Sequence, residues 1–112
     1  MSRITIYILR LEGGRFYVGR AEDVERRIRE HMNGDGAAWT TLYRVVAIEE
    51  VFENASLFDE DRYVKEYMDI HGIENVRGGS YCQVNLPPDQ VQALAYMIHR
   101  VHAVLMLIFS RR

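Results

Sequence analysis

Two β-rich runs, separated by a turn containing two glycines and followed at once by a helix pattern, constrain this chain more than anything else in it. RITIYILRL (3–11) and RFYVG (15–19) both alternate and are rich in β-branched and aromatic residues, and Glu12, Gly13 and Gly14 between them supply the left-handed backbone positions of a tight turn. The pattern predicts a β-hairpin. With a three-residue loop, Leu11 faces Arg15, Leu9 faces Tyr17 and Tyr7 faces Gly19, which puts Tyr7 and Tyr17 on one face of the sheet. A two-residue loop puts them on opposite faces.

A helix follows, with Asp23 as its N-cap. At 100° per residue Val24, Ile28 and Met32 form its apolar stripe, Arg27 and His31 lie together along one border, and Arg26 and Arg29 point away. NGDGAAWT is a glycine-rich connection, and RVVAIEEVF reads as a third strand. A second helix is predicted from about Ser56 to His71, ended by Gly72. Leu57, Val64, Tyr67 and Met68 make its apolar side, Glu60 lies inside that arc, and Asp59, Arg62 and Glu66 lie outside it. A carboxylate on the inward side of a helix must be paired, hydrated or metal-bound, because burying it alone is costly. ENVRGGSY leads into a loop, and Pro87 and Pro88 open a third helix through about Phe109.

The chain of 112 residues is one domain in size, and 48% hydrophobic residues support a real core. One cysteine, Cys82, excludes an intrachain disulfide framework and reads as a buried small hydrophobe rather than a nucleophile. With no apolar N-terminal run to act as a signal peptide, the expectation is a cytoplasmic or nuclear protein, including a virus-encoded one acting there. The formal charge of −2 hides a division: residues 47–76 are strongly acidic, and the segments on either side are net basic. That is not a uniformly basic nucleic-acid binder, but it is compatible with a basic surface facing a polyanion and a few carboxylates kept for another purpose, such as a metal.

The inward-leaning polar residues are Tyr7, Tyr17, Arg27, His31 and Glu60. Two phenols, a guanidinium, an imidazole and a carboxylate suit a phosphate-handling site: arginine for charge, a carboxylate for Mg²⁺, tyrosine or histidine for proton transfer. Each also has a packing role open to it. Strand tyrosines fill cores, a helix-border arginine covers apolar surface, and an inward glutamate pairs with an arginine.

At these residues the chain resembles the GIY-YIG nuclease superfamily. TIY at 5–7, YVG at 17–19, the helix segment DVERRIREH and the later glutamate in FDEDRYVKEY carry the likeness, which covers residues 4 to about 81. GDGAAWT and ENVRGGSYC resemble segments of the family's virus-like branch. Thr5 departs from the pattern where the first tripeptide has its glycine.

The resemblance implies a small α/β (α+β) domain with a mainly antiparallel three-stranded sheet flanked by helices. It implies a catalytic unit at 1–81, with 82–112 forming a loop and an extra C-terminal helix. It makes Tyr7, Tyr17, Arg27, His31 and Glu60 the catalytic set, with Glu60 also the ligand of Mg²⁺ or Mn²⁺. Gly19, Arg20, Arg26, Trp39 and Asn75 are the candidate substrate contacts. The implied activity is metal-dependent DNA endonuclease chemistry with Tyr7 as general base, helped by a neighbour such as His31. Since a free phenol has a pKa of about 10, Tyr7 needs a cation nearby to act as a base at neutral pH. The rival is a nucleic-acid-binding or interaction domain on the same scaffold with little or no cleavage.

Weaker candidates are His99 and His102, three apart on the last helix; Asp61, a second choice of metal ligand; and Trp39 with Tyr43 as base-stacking rings, for which core packing is the commoner role. The last helix carries Val91, Leu94, Ile98, Val101, Leu105 and Ile108 on one face and Ala93, Met97, Val104 and Leu107 on another. Two apolar sides ask for two partners: the sheet domain, and either a second copy or a DNA-binding domain beyond this chain. A membrane span is not expected, because His99, Arg100 and His102 interrupt the segment.

Overall fold

A computed structural model describes residues 4–110, and side chains are described through His99. The hairpin forms first in the chain: β1 (Ile4–Leu11) pairs antiparallel with β2 (Arg15–Ala21). Its register is the three-residue-loop one, with Tyr7 opposite Gly19, Leu9 opposite Tyr17 and Leu11 opposite Arg15. Gly13 and Gly14 both take positive φ, 75° and 74°, which is the backbone a loop this tight requires.

Helix α1 (Val24–Met32) follows, then a short α2 (Ala38–Leu42), strand β3 (Val45–Ala55), α3 (Asp59–His71), a 3₁₀ turn (Ile73–Asn75), β4 (Val76–Gly78) and α4 (Pro88–Ser110). The sheet has four strands in the order β3-β1-β2-β4, not the three expected. The added strand, β4, pairs parallel with β2 from Phe16 to Val18. It is only three residues long and contains a glycine, too short for any periodicity to announce it. The glycine-rich connection likewise contains α2, of five residues, below the length at which a helical stripe is readable.

β1 is central, so Ile6, Tyr7, Ile8 and Leu9 are buried without a break, although their side chains alternate between faces. Ile6, Ile8, Phe16 and Val18 pack with Val64, Met68, Val76 and Leu94 on one face. Tyr7, Leu9, Leu11 and Tyr17 pack with Ile28 and Trp39 on the other.

Three details differ from expectation. Met32 and Leu57, read as core, are 63% and 60% exposed: α1 touches the sheet through a narrower stripe centred on Ile28, and Leu57 lies in the turn before α3, whose buried residues are Val64 and Met68. α3 begins at Asp59 rather than Ser56. The intervening turn is held by the Ser56 N–H donating to Asp59 Oδ2 at 2.9 Å and the Phe58 N–H donating to Ser56 Oγ at 3.2 Å, a capping arrangement just ahead of the helix. Cys82, read as buried, is exposed.

The outward residues of α3 are as expected: Arg62 bridges Asp59 at 3.3 Å and Glu66 at 2.9 Å on its solvent side. α4 joins the first core through Leu94 and Ile98, while Ala93 and Met97 stay exposed. Val101, Val104, Leu105, Leu107, Ile108 and His102 lie outside the residues whose side chains are described. Among the described residues no helix is long and apolar enough to cross a membrane.

Candidate active site

The second face of the hairpin puts Tyr7 and Tyr17 side by side, ring centroids 6.4 Å apart. α1 brings a histidine over both. Asp23 accepts the Arg26 N–H at 3.1 Å and starts the helix, and two turns later His31 points down onto the sheet, its ring 5.6 Å from that of Tyr7 and 4.8 Å from that of Tyr17. His31 is 1% exposed, and its Nε2 lies 2.7 Å from the Tyr7 hydroxyl. Gly19 makes room for this pair, since a Cβ there would collide with the Tyr7 ring and hydroxyl. Its role in the site is therefore to admit the phenol over β2.

Burial dominates the electrostatics. It raises the pKa of both phenols, and for Tyr7 the neighbouring Tyr17 adds to the shift, while the Arg27 charge opposes it at each. His31 is pushed the other way, down to about 4, first by burial and then by Arg27, so the imidazole is neutral at physiological pH. Arg27 is the cation beside both phenols, with its side chain 35% exposed, and its own carboxylate partner is Glu30 at 3.3 Å. Arg26 is exposed on the outward side of α1.

Glu60 approaches from the first turn of α3, its side chain 14% exposed, with the Arg20 Nε at 3.5 Å. Burial raises its pKa, opposed by Arg20 and reinforced by Asp61. β4 pairs with β2 only as far as Val18, so the outer edge of Gly19–Ala21 has no strand beside it. Past that open edge the Glu60 charge still acts on Tyr7 and Tyr17 across the sheet. The second-choice ligand Asp61 is already engaged, accepting from the Ser80 N–H at 2.8 Å and the Ser80 hydroxyl at 2.7 Å.

Two expected substrate contacts have structural partners of their own. Trp39 is 2% exposed, donates its indole N–H to the Phe16 carbonyl at 3.0 Å and carries the Arg77 guanidinium over its ring at 4.8 Å. A ring so enclosed packs the core and has no open face for a base. Asn75 donates its side-chain amide to the His71 carbonyl at 2.8 Å and so closes the end of α3. His99 is exposed, and among the described residues no three His, Cys, Asp or Glu side chains converge as a metal cluster.

Sequence reading passed over three residues. Thr40 is 2% exposed with its Oγ1 2.7 Å from His31 Nδ1, and a Cβ at Gly36 would strike the His31 ring. Both sit in the connection whose short helix has no periodic signal. Arg77, 5% exposed, donates to the carbonyls of Ile73, Val76, Gln83 and Val84, stitching the chain after α3 beneath the Trp39 ring.

A four-stranded sheet flanked by helices, with this order of elements, is a nuclease-type fold. The GIY-YIG catalytic domain family matches residues 3–71, and the chain belongs to that family. Among its relatives, a UPF0213 protein of Staphylococcus saprophyticus is 40% identical over 58 residues, covering 50% of this chain and 71% of the relative. One from Fusobacterium nucleatum is 45% identical over 47 residues, 42% of this chain and 47% of the relative. One from Staphylococcus epidermidis is 33% identical over 67 residues, 60% of this chain and 79% of the relative. These relatives are bacterial. No solved structure matches the chain.

Proposed function

We propose that the chain is a metal-dependent DNA endonuclease in which Tyr7 and His31 move the proton of the attacking water. The observation that carries this reading is the buried 2.7 Å contact between the Tyr7 hydroxyl and a neutral His31, placed beside Arg27. Packing alone has no need of a titratable pair at that point.

Glu60 fits a divalent cation. Its carboxylate is largely desolvated, its bond to the half-exposed Arg20 is long, and Asp61 next to it is taken by Ser80. A single carboxylate, with water and phosphate oxygens completing the shell, is how Mg²⁺ commonly binds at phosphate sites. When bound at Glu60, Mg²⁺ or Mn²⁺ supplies Lewis-acid stabilisation of the phosphate and of the leaving 3′ oxygen.

The chain's own groups do the rest. As the water oxygen bonds to phosphorus, its proton passes to the Tyr7 oxygen and the Tyr7 proton passes to His31 Nε2, while the bond from phosphorus to the 3′ oxygen breaks and that oxygen takes a proton from solvent. Burial makes a free phenolate unfavourable, and the coupled transfer avoids one; it leaves His31 as an imidazolium, which burial and Arg27 also disfavour and which gives its proton up to solvent before the next turnover. Arg27 balances charge on the phosphoryl oxygens. Tyr7 is 1% and Tyr17 7% exposed, so substrate water reaches the phenols only when a covering side chain moves. Arg27, held by a partly exposed bond to Glu30, is the side chain beside both phenols that shifts at least cost. Tyr17 positions, and Arg20, Gly19 and Arg26 border the path of the substrate. Residues 1–81 form the catalytic unit, and the second apolar side of α4 serves a second copy or a further DNA-binding domain. A reducing compartment such as the cytoplasm suits the exposed Cys82.

Supercoiled plasmid incubated with the protein and Mg²⁺ is expected to be nicked, and EDTA to prevent it. Plasmid bound but left intact in Mg²⁺ would replace this reading with the binding-domain one.

A further inference from the structure

We infer that Thr40 is a positioning residue: it fixes His31 in the tautomer that carries hydrogen on Nδ1, so that the Nε2 lone pair faces the Tyr7 hydroxyl. The inference rests on the Tyr7–His31 reading above, although the tautomer itself is independent of cleavage.

One contact sets the hydrogen placement and a second accommodates it. At one end, the buried Tyr7 O–H needs an acceptor. Arg27 beside it has only donors, and His31 Nε2 at 2.7 Å is the acceptor within reach. Nε2 is therefore unprotonated, and a neutral imidazole then holds its hydrogen on Nδ1.

At the other end, the Thr40 hydroxyl lies 2.7 Å from Nδ1, accepts the Ala37 N–H at 3.2 Å and donates to the Ala37 carbonyl at 3.1 Å. A hydroxyl has one hydrogen. With Nδ1 protonated, as the Tyr7 end requires, Thr40 meets it as an acceptor and directs its own hydrogen to the Ala37 carbonyl. That carbonyl also accepts the Thr41 N–H at 3.0 Å and lies 3.0 Å from the Thr41 hydroxyl, whose shorter bond goes to the Gly34 carbonyl at 2.8 Å. The opposite tautomer satisfies Nδ1 but points Nε2–H at the phenol oxygen and strands the Tyr7 hydrogen in a buried site.

The consequence is chemical. With Nδ1 protonated, Tyr7 can hand its proton to His31 as it takes one from water. In the other tautomer the imidazole donates to the phenol and no proton can leave Tyr7. α2 thus has a purpose despite its length: its first turn holds Thr40 against the ring, and Gly36 lets the loop close over the same side.

Long-range ¹⁵N–¹H NMR on the histidine-labelled wild-type protein reads the tautomer without any substitution. The expected result is Nδ1–H for His31, and Nε2–H would overturn the inference. Thr40→Val keeps the shape and removes the acceptor. It should shift His31 toward Nε2–H and lower plasmid nicking by ~10-fold or more, and Thr40→Ser should restore both. A folded Thr40→Val protein with the wild-type tautomer would mean that Thr40 only packs. If the wild-type protein nicks nothing, the nuclease reading falls, while the NMR result still decides the tautomer.

Discussion

On one face of the hairpin, Ile6, Ile8, Phe16 and Val18 meet Val64, Met68, Val76 and Leu94, all apolar; on the other, Tyr7, Leu9, Leu11 and Tyr17 meet Ile28 and Trp39 with His31 set among them. The same two strands supply both. The first face is stabilised by removing carbon from water, which has no directional demand and tolerates one side chain for another of similar volume. The second buries hydroxyl and ring nitrogen atoms that must each find a partner in fixed geometry, and the chain Tyr7–His31–Thr40–Ala37 provides them. A protein that needed only stability would gain little from the second arrangement. Its presence on one face alone separates the part of the fold held by apolar packing from the part that depends on directed hydrogen bonds.

Substitutions on the two faces should therefore fail in different ways. The largest effect is expected at the edge joining them: Glu60→Ala should abolish Mg²⁺-dependent nicking while circular dichroism and the urea midpoint stay near wild type. A folded Glu60→Ala protein that cleaves normally would remove the metal assignment.

Tyr7→Phe keeps the ring in place and deletes one hydroxyl, so nicking should fall ~10²-fold or more. Met68→Ala on the opposite face should cost about 2–5 kcal/mol of stability yet leave the rate per folded molecule unchanged. Near-normal nicking by Tyr7→Phe would make the two faces equivalent. Because burial raises the Tyr7 pKa and lowers that of His31 to about 4, both groups keep the proton states the transfer needs across the neutral range, so the wild-type rate should be level there and fall at acid pH as His31 protonates.

Next in size, Arg27→Ala should lose more activity than Arg26→Ala or Arg29→Ala, since Arg27 is the member of the three that stands beside the phenols while the others face outward. Equal mild losses at all three would describe a diffuse phosphate-binding surface instead.

The smallest effect is on stability against pH. His31 has a folded pKa of about 4 against an ordinary value of 6.5. Between those values the unfolded chain binds a proton that the native state refuses, so stability falls as pH drops through that window, by about 2 kcal/mol from pH 7 to pH 5. Glu60, whose folded pKa is raised, works in the opposite direction, so the comparison must be with His31→Gln, which keeps Glu60 and loses the histidine term. Parallel urea-midpoint curves for the two proteins would show that His31 titrates normally in the fold.

Much of this was legible in the chain. Alternation and the Glu12-Gly13-Gly14 stretch determined the hairpin and narrowed its register to two, because strand side chains repeat with a period of two and the loop length sets the offset; the three-residue loop of the folded chain then puts Tyr7 and Tyr17 on one face. The period of α1 placed Arg27 and His31 on the sheet side and Arg26 outside, and that of α3 turned Glu60 inward and left Asp59, Arg62 and Glu66 to pair in solvent. These are local regularities, written within a few turns of chain.

What only the tertiary structure decided has no local period. β4 exists because Val76–Gly78 meets β2, Trp39 is a core ring because Arg77 and the Phe16 carbonyl enclose it, and Cys82 is exposed because the chain around it runs over the surface. Thr40 lies nine positions from His31 and becomes its partner only when a two-glycine loop folds the five residues of α2 back against the ring. A hydrogen bond of that kind depends on where two segments come to rest, and neither segment's own pattern of apolar and polar residues encodes that position.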